Sequence, residues 1–95
     1  MVTLQIEHAI TDFGTWKQAF DRFADARRDS GVQHHRIHQP HNDGHYVLIE
    51  LDFTTGEEAS TFLDFLTARV WTTPANAPAL VGTPQTRILD LVDQS

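Results

Sequence analysis

The chain has 95 residues, 40% of them hydrophobic, which is enough for one small core and predicts a single domain over residues 1–95. Its 13 acidic and 7 basic residues give a formal net charge of −6, and no cluster of Lys and Arg is dense enough to neutralise a run of phosphates, so nucleic acid is not an expected partner. The absence of cysteine excludes disulfides, thiolate metal sites and cysteine nucleophiles.

The first third of the chain predicts a strand followed by a helix. In VTLQIEH, residues 2–8, apolar and polar residues alternate with the period of a half-buried strand. The N-terminus has neither a positive segment nor an uninterrupted apolar run, so we expect a cytoplasmic protein that does not bind a membrane. Residues 11–31 then read as one helix between a capping Asp12 and Gly31, with four aromatic residues at helical spacing that we expect in the core: Phe13, Trp16, Phe20 and Phe23.

The middle of the chain predicts a histidine-rich β-hairpin. Five of the six histidines lie in GVQHHRIHQPHNDGHYV, residues 31–47, where the turn formers QPHNDGH separate two extended arms. A five-residue turn places His34 opposite Glu50 and His38 opposite Tyr46, on the face that also carries Arg36. A four-residue turn exchanges the two faces, because successive side chains of a strand alternate. We favour the five-residue turn, since it directs these polar side chains away from the helices.

The last part of the chain predicts a second helix and a fourth strand. Residues 54–71, TTGEEASTFLDFLTARVW, open with a capping box of Thr55 and Glu58 and carry an apolar stripe. The proline-rich segment 72–84 reads as a loop in which Pro74 opens at most a short helical turn, and residues 85–92, QTRILDLV, read as the last strand. The order βαββαβ predicts a ferredoxin-like α+β fold, an antiparallel four-stranded sheet with both helices on one face.

Four segments carry a resemblance to a known superfamily: DFGTWKQAFDRF, GVQHHRI, YVLIELDFTTGEEASTFLDFL and VGTPQTRIL. They resemble the dimeric α/β-barrel superfamily, in particular small bacterial proteins related to antibiotic-biosynthesis-monooxygenase-like and cyclase-like domains. The resemblance implies a homodimer in which two sheets meet by their open faces and enclose a small barrel. The residues give an independent reason for dimerisation, because Tyr46 and Leu48 lie on the face opposite the helices and a monomer leaves its strand edges unpaired.

The polar residues expected on the open face form the candidate site. His34 and Glu50 are the candidate catalytic residues, since an imidazole beside a carboxylate can accept a proton near neutral pH. Further candidates for ligand binding are Glu7, Arg36, Tyr46 and Trp71. The resemblance implies binding of a small aromatic or polyketide-like molecule, with cofactor-independent monooxygenase or cyclase/isomerase chemistry. The alternative is a non-catalytic homodimeric interaction protein whose barrel is filled by its own side chains, and a barrel void on the order of 300 Å³ would favour the ligand.

The histidines do not predict a metal site. Zinc needs imidazole nitrogens about 2.0–2.1 Å away, whereas His34 and His38 lie roughly 13 Å apart along one strand at about 3.3 Å per residue. A site would have to form across strands, from His38 with His45 or from His34 with Glu50. Relatives in the superfamily that degrade haem use a histidine from the second helix region, and this chain has none after Thr55. We therefore predict no metal and no cofactor.

Overall fold

The computed structural model describes all 95 residues and confirms the ferredoxin-like α+β fold. An antiparallel sheet has the strand order β2-β3-β1-β4. Its strands are β1 (Val2–Ile10), β2 (His34–His38), β3 (Tyr46–Phe53) and β4 (Leu80–Asp90). The helices are α1 (Phe13–Arg22), α2 (Ala24–Asp29) and α3 (Gly56–Phe65), and a π-helical turn, Leu66–Val70, continues α3. None of these helices is long and apolar enough to cross a bilayer.

The core lies between the helices and the two central strands. Leu4 of β1 pairs with Leu51 of β3 and Ile6 pairs with Ile49, so both strands turn the same alternate residues towards the helices. These aliphatic side chains are nearly inaccessible to water, and each contributes about 1.5–3 kcal/mol by its burial. The helices complete the core with Trp16, Ala59 and Phe62. The opposite side of the sheet, named here the open face, has no helix over it.

The predicted first helix is divided in two. It begins as expected, because the Asp12 side chain accepts a hydrogen bond from the Thr15 backbone N–H at 2.9 Å. It then breaks at Phe23, whose backbone (φ −99°, ψ 17°) leaves the helical region before α2 resumes. The Phe23 ring packs edge-on against Phe65 of α3, at 6.3 Å between centroids. Gly31 ends this region with a φ of 97°, which favours glycine, as predicted.

The hairpin register differs by two residues from the one that the sequence favoured. Arg36 pairs with Glu50, His34 with Asp52, and His38 with Leu48. The turn is longer than predicted because its side chains bond to nearby backbone: the Gln39 amide donates to the Tyr46 carbonyl at 3.2 Å and the Asp43 carboxylate accepts from the His45 N–H at 2.9 Å. A shift of two residues leaves every side chain on its predicted face. His45 lies in the turn, one residue before β3 begins.

The second half of the chain departs from prediction after α3. The capping box of Thr55 and Glu58 forms as expected. The helix then widens into the π-helical turn, where the Trp71 N–H donates to the Leu66 carbonyl at 2.9 Å. The predicted loop ends early, because β4 begins at Leu80 and continues through Pro84. An outer strand tolerates a proline, and the pairing with β1 is irregular there.

Candidate functional site

Most of the predicted site residues lie on the open face and bind one another. Arg36 donates from Nε to Glu50 at 2.8 Å and from Nη1 and Nη2 to the two Asp52 oxygens at 2.9 and 3.1 Å. The Thr3 hydroxyl donates to the same Asp52 carboxylate at 2.7 Å. We call these four residues, Thr3, Arg36, Glu50 and Asp52, the open-face network. Asp52 lies at its centre and is the most deeply buried of its charged groups, although the sequence analysis did not select it.

Tyr46 and Glu7 form a second pair on the open face. The Tyr46 hydroxyl donates to the Glu7 carboxylate at 2.8 Å, and this hydrogen bond is the main reason why the pKa of Tyr46 is raised. His34 lies at the edge of the open-face network, exposed to solvent, and its expected contact with Glu50 is taken by Arg36.

Arg36 and Asp52 hold each other in their charged forms at neutral pH. The Asp52 and Glu50 carboxylates raise the pKa of Arg36, with Asp52 the stronger cause, and the Arg36 guanidinium lowers the pKa of Asp52. A general base needs a pKa near the working pH and a free lone pair. Asp52 fails the first condition because its pKa is lowered, and it already accepts three hydrogen bonds, so its contacts are those of a structural ion pair.

A cavity lies on the other side of the sheet, between the helices. We name it the helix-side cavity. Strands β1 and β3 form its floor, and residues 76–80 form its rim. One wall is formed by α1 and α2, and the other by α3 with the π-helical turn. Its volume is about 80 Å³. This is well below the roughly 300–1,000 Å³ of typical small-molecule sites, although the cavity is partly open to solvent. Trp71 is the one predicted site residue that lines it.

The lining of the helix-side cavity is mostly apolar. Apart from the indole groups of Trp16 and Trp71, its hydrogen-bonding side chains are His8, Arg27 and Asn76. Aromatic rings form one wall: Trp16 stacks on Phe20 at 5.1 Å between centroids. Such a surface suits a flat apolar ligand with few polar atoms.

His8 is the buried imidazole of the cavity floor. Its side chain is 5% exposed, and its Nδ1 lies 2.9 Å from the Ala9 carbonyl oxygen, which requires the proton to be on Nδ1. Burial lowers the pKa of His8, and the Ala9 hydrogen bond opposes this effect only in part. The ring is therefore neutral at pH 7. Nε2 has no hydrogen-bond partner in the protein and is not a fully buried atom, and the His8 side chain lines the cavity.

Three polar residues of the helix-side cavity were missed by the sequence analysis. His8 shares a face with Leu4 and Ile6 in the alternation of the first strand, so a histidine at an apolar position was a readable signal. Arg27 likewise continues the helical spacing of Trp16, Phe20 and Phe23. Asn76 gave no such signal, because its position depends on the loop after Trp71, where its side chain donates to the Arg69 carbonyl at 2.8 Å.

The histidines of the hairpin are spread over different environments. His35 points to the helix side, with its ring edge-on to Phe20 at 5.3 Å between centroids, and His45 bonds to the Thr11 carbonyl oxygen at 2.8 Å. His34, His38 and His41 are exposed. Nowhere in the chain do three or more histidine or acidic side chains gather as they would around a metal ion.

Comparison with solved structures gives the same fold. SnoaB, a cofactor-independent oxygenase from Streptomyces nogalater, superposes with a TM-score of 0.73 at 13% identity, over 98% of this chain and 94% of that one. The monooxygenase ActVA-Orf6 of Streptomyces coelicolor, in complex with nanaomycin D, has a TM-score of 0.71 at 13% identity, over 99% and 89%. A dimeric ferredoxin-like protein from an uncultured marine organism has a TM-score of 0.66 at 8% identity, over 99% and 97%.

No family model and no curated protein matches the sequence. At identities this low the structural similarity shows the fold, and the fold does not fix the chemistry. The fold is the one that the resemblance to dimeric α/β-barrel proteins implied.

Replacing Glu50 and Asp52 separately tests the open-face network. We expect Glu50→Gln to lower the free energy of unfolding by less than about 1 kcal/mol, because Glu50 and Arg36 have 29% and 45% exposed side chains and Arg36 keeps Asp52. We expect Asp52→Asn to cost about 2 kcal/mol, since a buried charged acceptor of three hydrogen bonds is lost. Urea unfolding at pH 7 measures both. An equal loss of unfolding free energy in the two variants would contradict the central position of Asp52 in the network.

The pH dependence of stability tests the neutral state of His8. A histidine whose pKa is lowered by folding takes up its proton more readily when unfolded, so stability is complete above the ordinary pKa of 6.5 and falls as the pH drops below it. We expect this decline between pH 7.5 and 5, above the range where carboxylates titrate, and a smaller decline in His8→Gln. His35 contributes in the same direction, because burial lowers its pKa too, so some slope remains.

The control for this measurement is His41→Gln, which changes an exposed histidine in the turn and should keep the full wild-type slope. Identical slopes in His8→Gln and the wild type would mean that His8 is not held neutral by the fold.

Proposed function

We propose that the protein binds a small phenol or enol in the helix-side cavity and acts on it as a cofactor-independent monooxygenase. The observation that carries this proposal is His8, a buried neutral imidazole with an unbonded Nε2 in the floor of a mostly apolar cavity. Two structural neighbours, SnoaB and ActVA-Orf6, are a cofactor-independent oxygenase and a monooxygenase, which supports the same class of reaction.

His8 is suited to accept the proton of a bound hydroxyl. The Ala9 carbonyl fixes the tautomer and leaves the lone pair of Nε2 available. The lowered pKa keeps the ring unprotonated at pH 7, although it also makes His8 a weaker base. Proton transfer from a phenol is therefore uphill, and it proceeds because the following oxidation consumes the oxyanion.

The oxyanion supplies the electrons for the oxidation. Loss of the hydroxyl proton makes the ring electron-rich, and dioxygen, as the co-substrate, accepts electrons from it. For a naphthol the balance is one naphthol and one dioxygen giving one naphthoquinone and one water, with one oxygen atom in the new carbonyl and the other in water. Trp16 and Trp71 hold the ring of the substrate by aromatic contact.

The open face has a different role in this proposal. Its candidate residues Glu7, Arg36, Tyr46 and Glu50 are paired with each other or with Asp52, and we assign them, with His34 at the edge, to the contact between two protomers. The face also exposes apolar side chains, among them Val81 and Leu89. A structural neighbour with 8% identity is itself a dimeric ferredoxin-like protein.

The second candidate function is a non-catalytic homodimeric interaction protein. The pairing of the open-face residues favours it, because a face whose polar groups are already satisfied needs no ligand. The modest volume of the helix-side cavity, about 80 Å³, also favours it. The two candidates differ in whether a small molecule is bound and consumed.

Oxygen uptake with 1-naphthol separates the two functions. We expect protein-dependent consumption of one dioxygen per naphthol, measured with an oxygen electrode. In His8→Gln we expect kcat to fall at least 100-fold through loss of the proton acceptor, with naphthol affinity changed less than about threefold. His41→Gln should keep the wild-type rate. Binding without any oxygen uptake would support the non-catalytic alternative, and full activity in His8→Gln would remove His8 from the mechanism.

The assembly is tested through the centre of the open face. We expect a dimer at micromolar concentration by light scattering, and a monomer for Leu48→Arg, since Leu48 lies between Glu7 of β1 and His38 of β2 on that face. Thr61→Arg, on the exposed side of α3, should remain dimeric. A monomeric wild type would contradict the proposal.

A further inference from the structure

Arg27 is a buried cation without an anionic partner. Its side chain lies in α2 and is 8% exposed, with its Cζ 3.6 Å from the centroid of the Phe20 ring. No carboxylate oxygen lies within 4.0 Å of it, because the ion pairs of the chain belong to Lys17, Arg28 and Arg36. Burial of an unpaired charge opposes folding, so its retention at the cavity calls for an explanation.

The hydrogen bonds of Arg27 leave one edge of the guanidinium unused. Nη1 donates to the Phe20 carbonyl, whereas Nε and Nη2 have no partner in the protein. Neither nitrogen is a buried unsatisfied atom, so both retain accessible surface. Two neighbouring N–H donors of this kind can bind a carboxylate through two parallel hydrogen bonds.

Arg27 is the unpaired cation of this part of the molecule. Lys17 lies 6.0 Å from the centroid of the same Phe20 ring, and His35 packs edge-on against it. Arg27 and Lys17 contribute to lowering the pKa of His35, after burial. The nearest acidic influence on Arg27 is Asp21, which is exposed and bound to Lys17 at 2.6 Å. Because Asp21 is occupied by Lys17, the charge of Arg27 is left without a carboxylate of the chain beside it.

We infer that the Nε–Nη2 edge of Arg27 binds a carboxylate of the ligand, so that the molecule taken by the helix-side cavity is an aromatic acid. The inference rests on the proposed ligand-binding function and adds the class of ligand. The ring lies among the apolar side chains of the cavity, and the carboxylate lies against Arg27 and replaces the water that its unused edge otherwise binds. Arg27 is then the residue that distinguishes acids from neutral molecules of the same shape.

Matched pairs of ligands test this role. The probes are benzoate with benzamide and 2-naphthoate with 2-naphthamide, because each amide keeps the shape of its acid and lacks the charge. We expect wild-type protein to bind each acid at least tenfold more tightly than its amide, measured by NMR titration of the full chain. In Arg27→Gln we expect the two members of a pair to bind alike, with the amide within about twofold of its wild-type affinity.

The matched control is Arg28→Gln. Arg28 is the next residue of α2, with a 71% exposed side chain that pairs with Asp25 and Asp29, and its loss should leave the preference for acids unchanged. A preference that persists in Arg27→Gln, or equal binding of acids and amides by the wild type, would overturn the inference and leave ligand binding intact. Absence of binding by all four probes would overturn this inference, and the proposed function would then stand or fall with the 1-naphthol experiment alone.

A measurement on the unmodified protein covers the case in which Arg27→Gln does not fold. In ¹⁵N-labelled wild type, the Nε–H resonance of Arg27 should shift on addition of 2-naphthoate, because it becomes a donor to the carboxylate, and should move much less with 2-naphthamide. Equal shifts for the two probes would count against carboxylate recognition by this edge.

Discussion

Antiparallel pairing of β1 with β3 is the interaction on which the rest of the structure depends. These are the two central strands, and their register sets Leu4 opposite Leu51 and Ile6 opposite Ile49 under the helices. The same register puts His8 on the buried face, opposite Val47. A slip of one residue would turn the acidic side chains of both strands into the core and expose the aliphatic ones. The pairing that builds the core therefore also fixes the imidazole at the cavity floor.

The sequence predicts the parts of this fold that depend on neighbouring residues. Strand alternation, the Asp12 cap, and the Thr55–Glu58 capping box are local patterns, and each appears as predicted. The break at Phe23 and the π-helical turn before Trp71 were not predictable in this way, because neither contains a glycine or proline. Both irregularities depend on how α1–α2 and α3 pack beside each other on the same face of the sheet. The helix-side cavity is bounded by both irregular segments, so it was hidden from the sequence for the same reason.

Arg36, whose side chain is 45% exposed on the sheet, and Arg27, which is buried in α2, differ in the partners of their guanidinium groups. Arg36 uses its guanidinium on two carboxylates of the neighbouring strand, and sequence analysis located it on the correct face because strand alternation is regular. Arg27 has a single backbone acceptor and an aromatic ring. The donors of Arg36 are occupied by carboxylates of the chain, whereas two accessible donors of Arg27 have no partner in the protein.

The helix-side cavity also carries an energetic cost that bears on its purpose. Burial of His8 and Arg27 at this cavity disfavours their charged forms and opposes folding. A domain of this size has a total stability on the order of only 5–10 kcal/mol, so polar groups buried in its core are not neutral for folding. Aliphatic side chains at positions 8 and 27 would extend the neighbouring apolar patterns and close the cavity. Selection for stability alone would favour aliphatic residues at positions 8 and 27. In the proposed function, His8 engages the hydroxyl of the bound molecule, and in the further inference Arg27 engages its carboxylate.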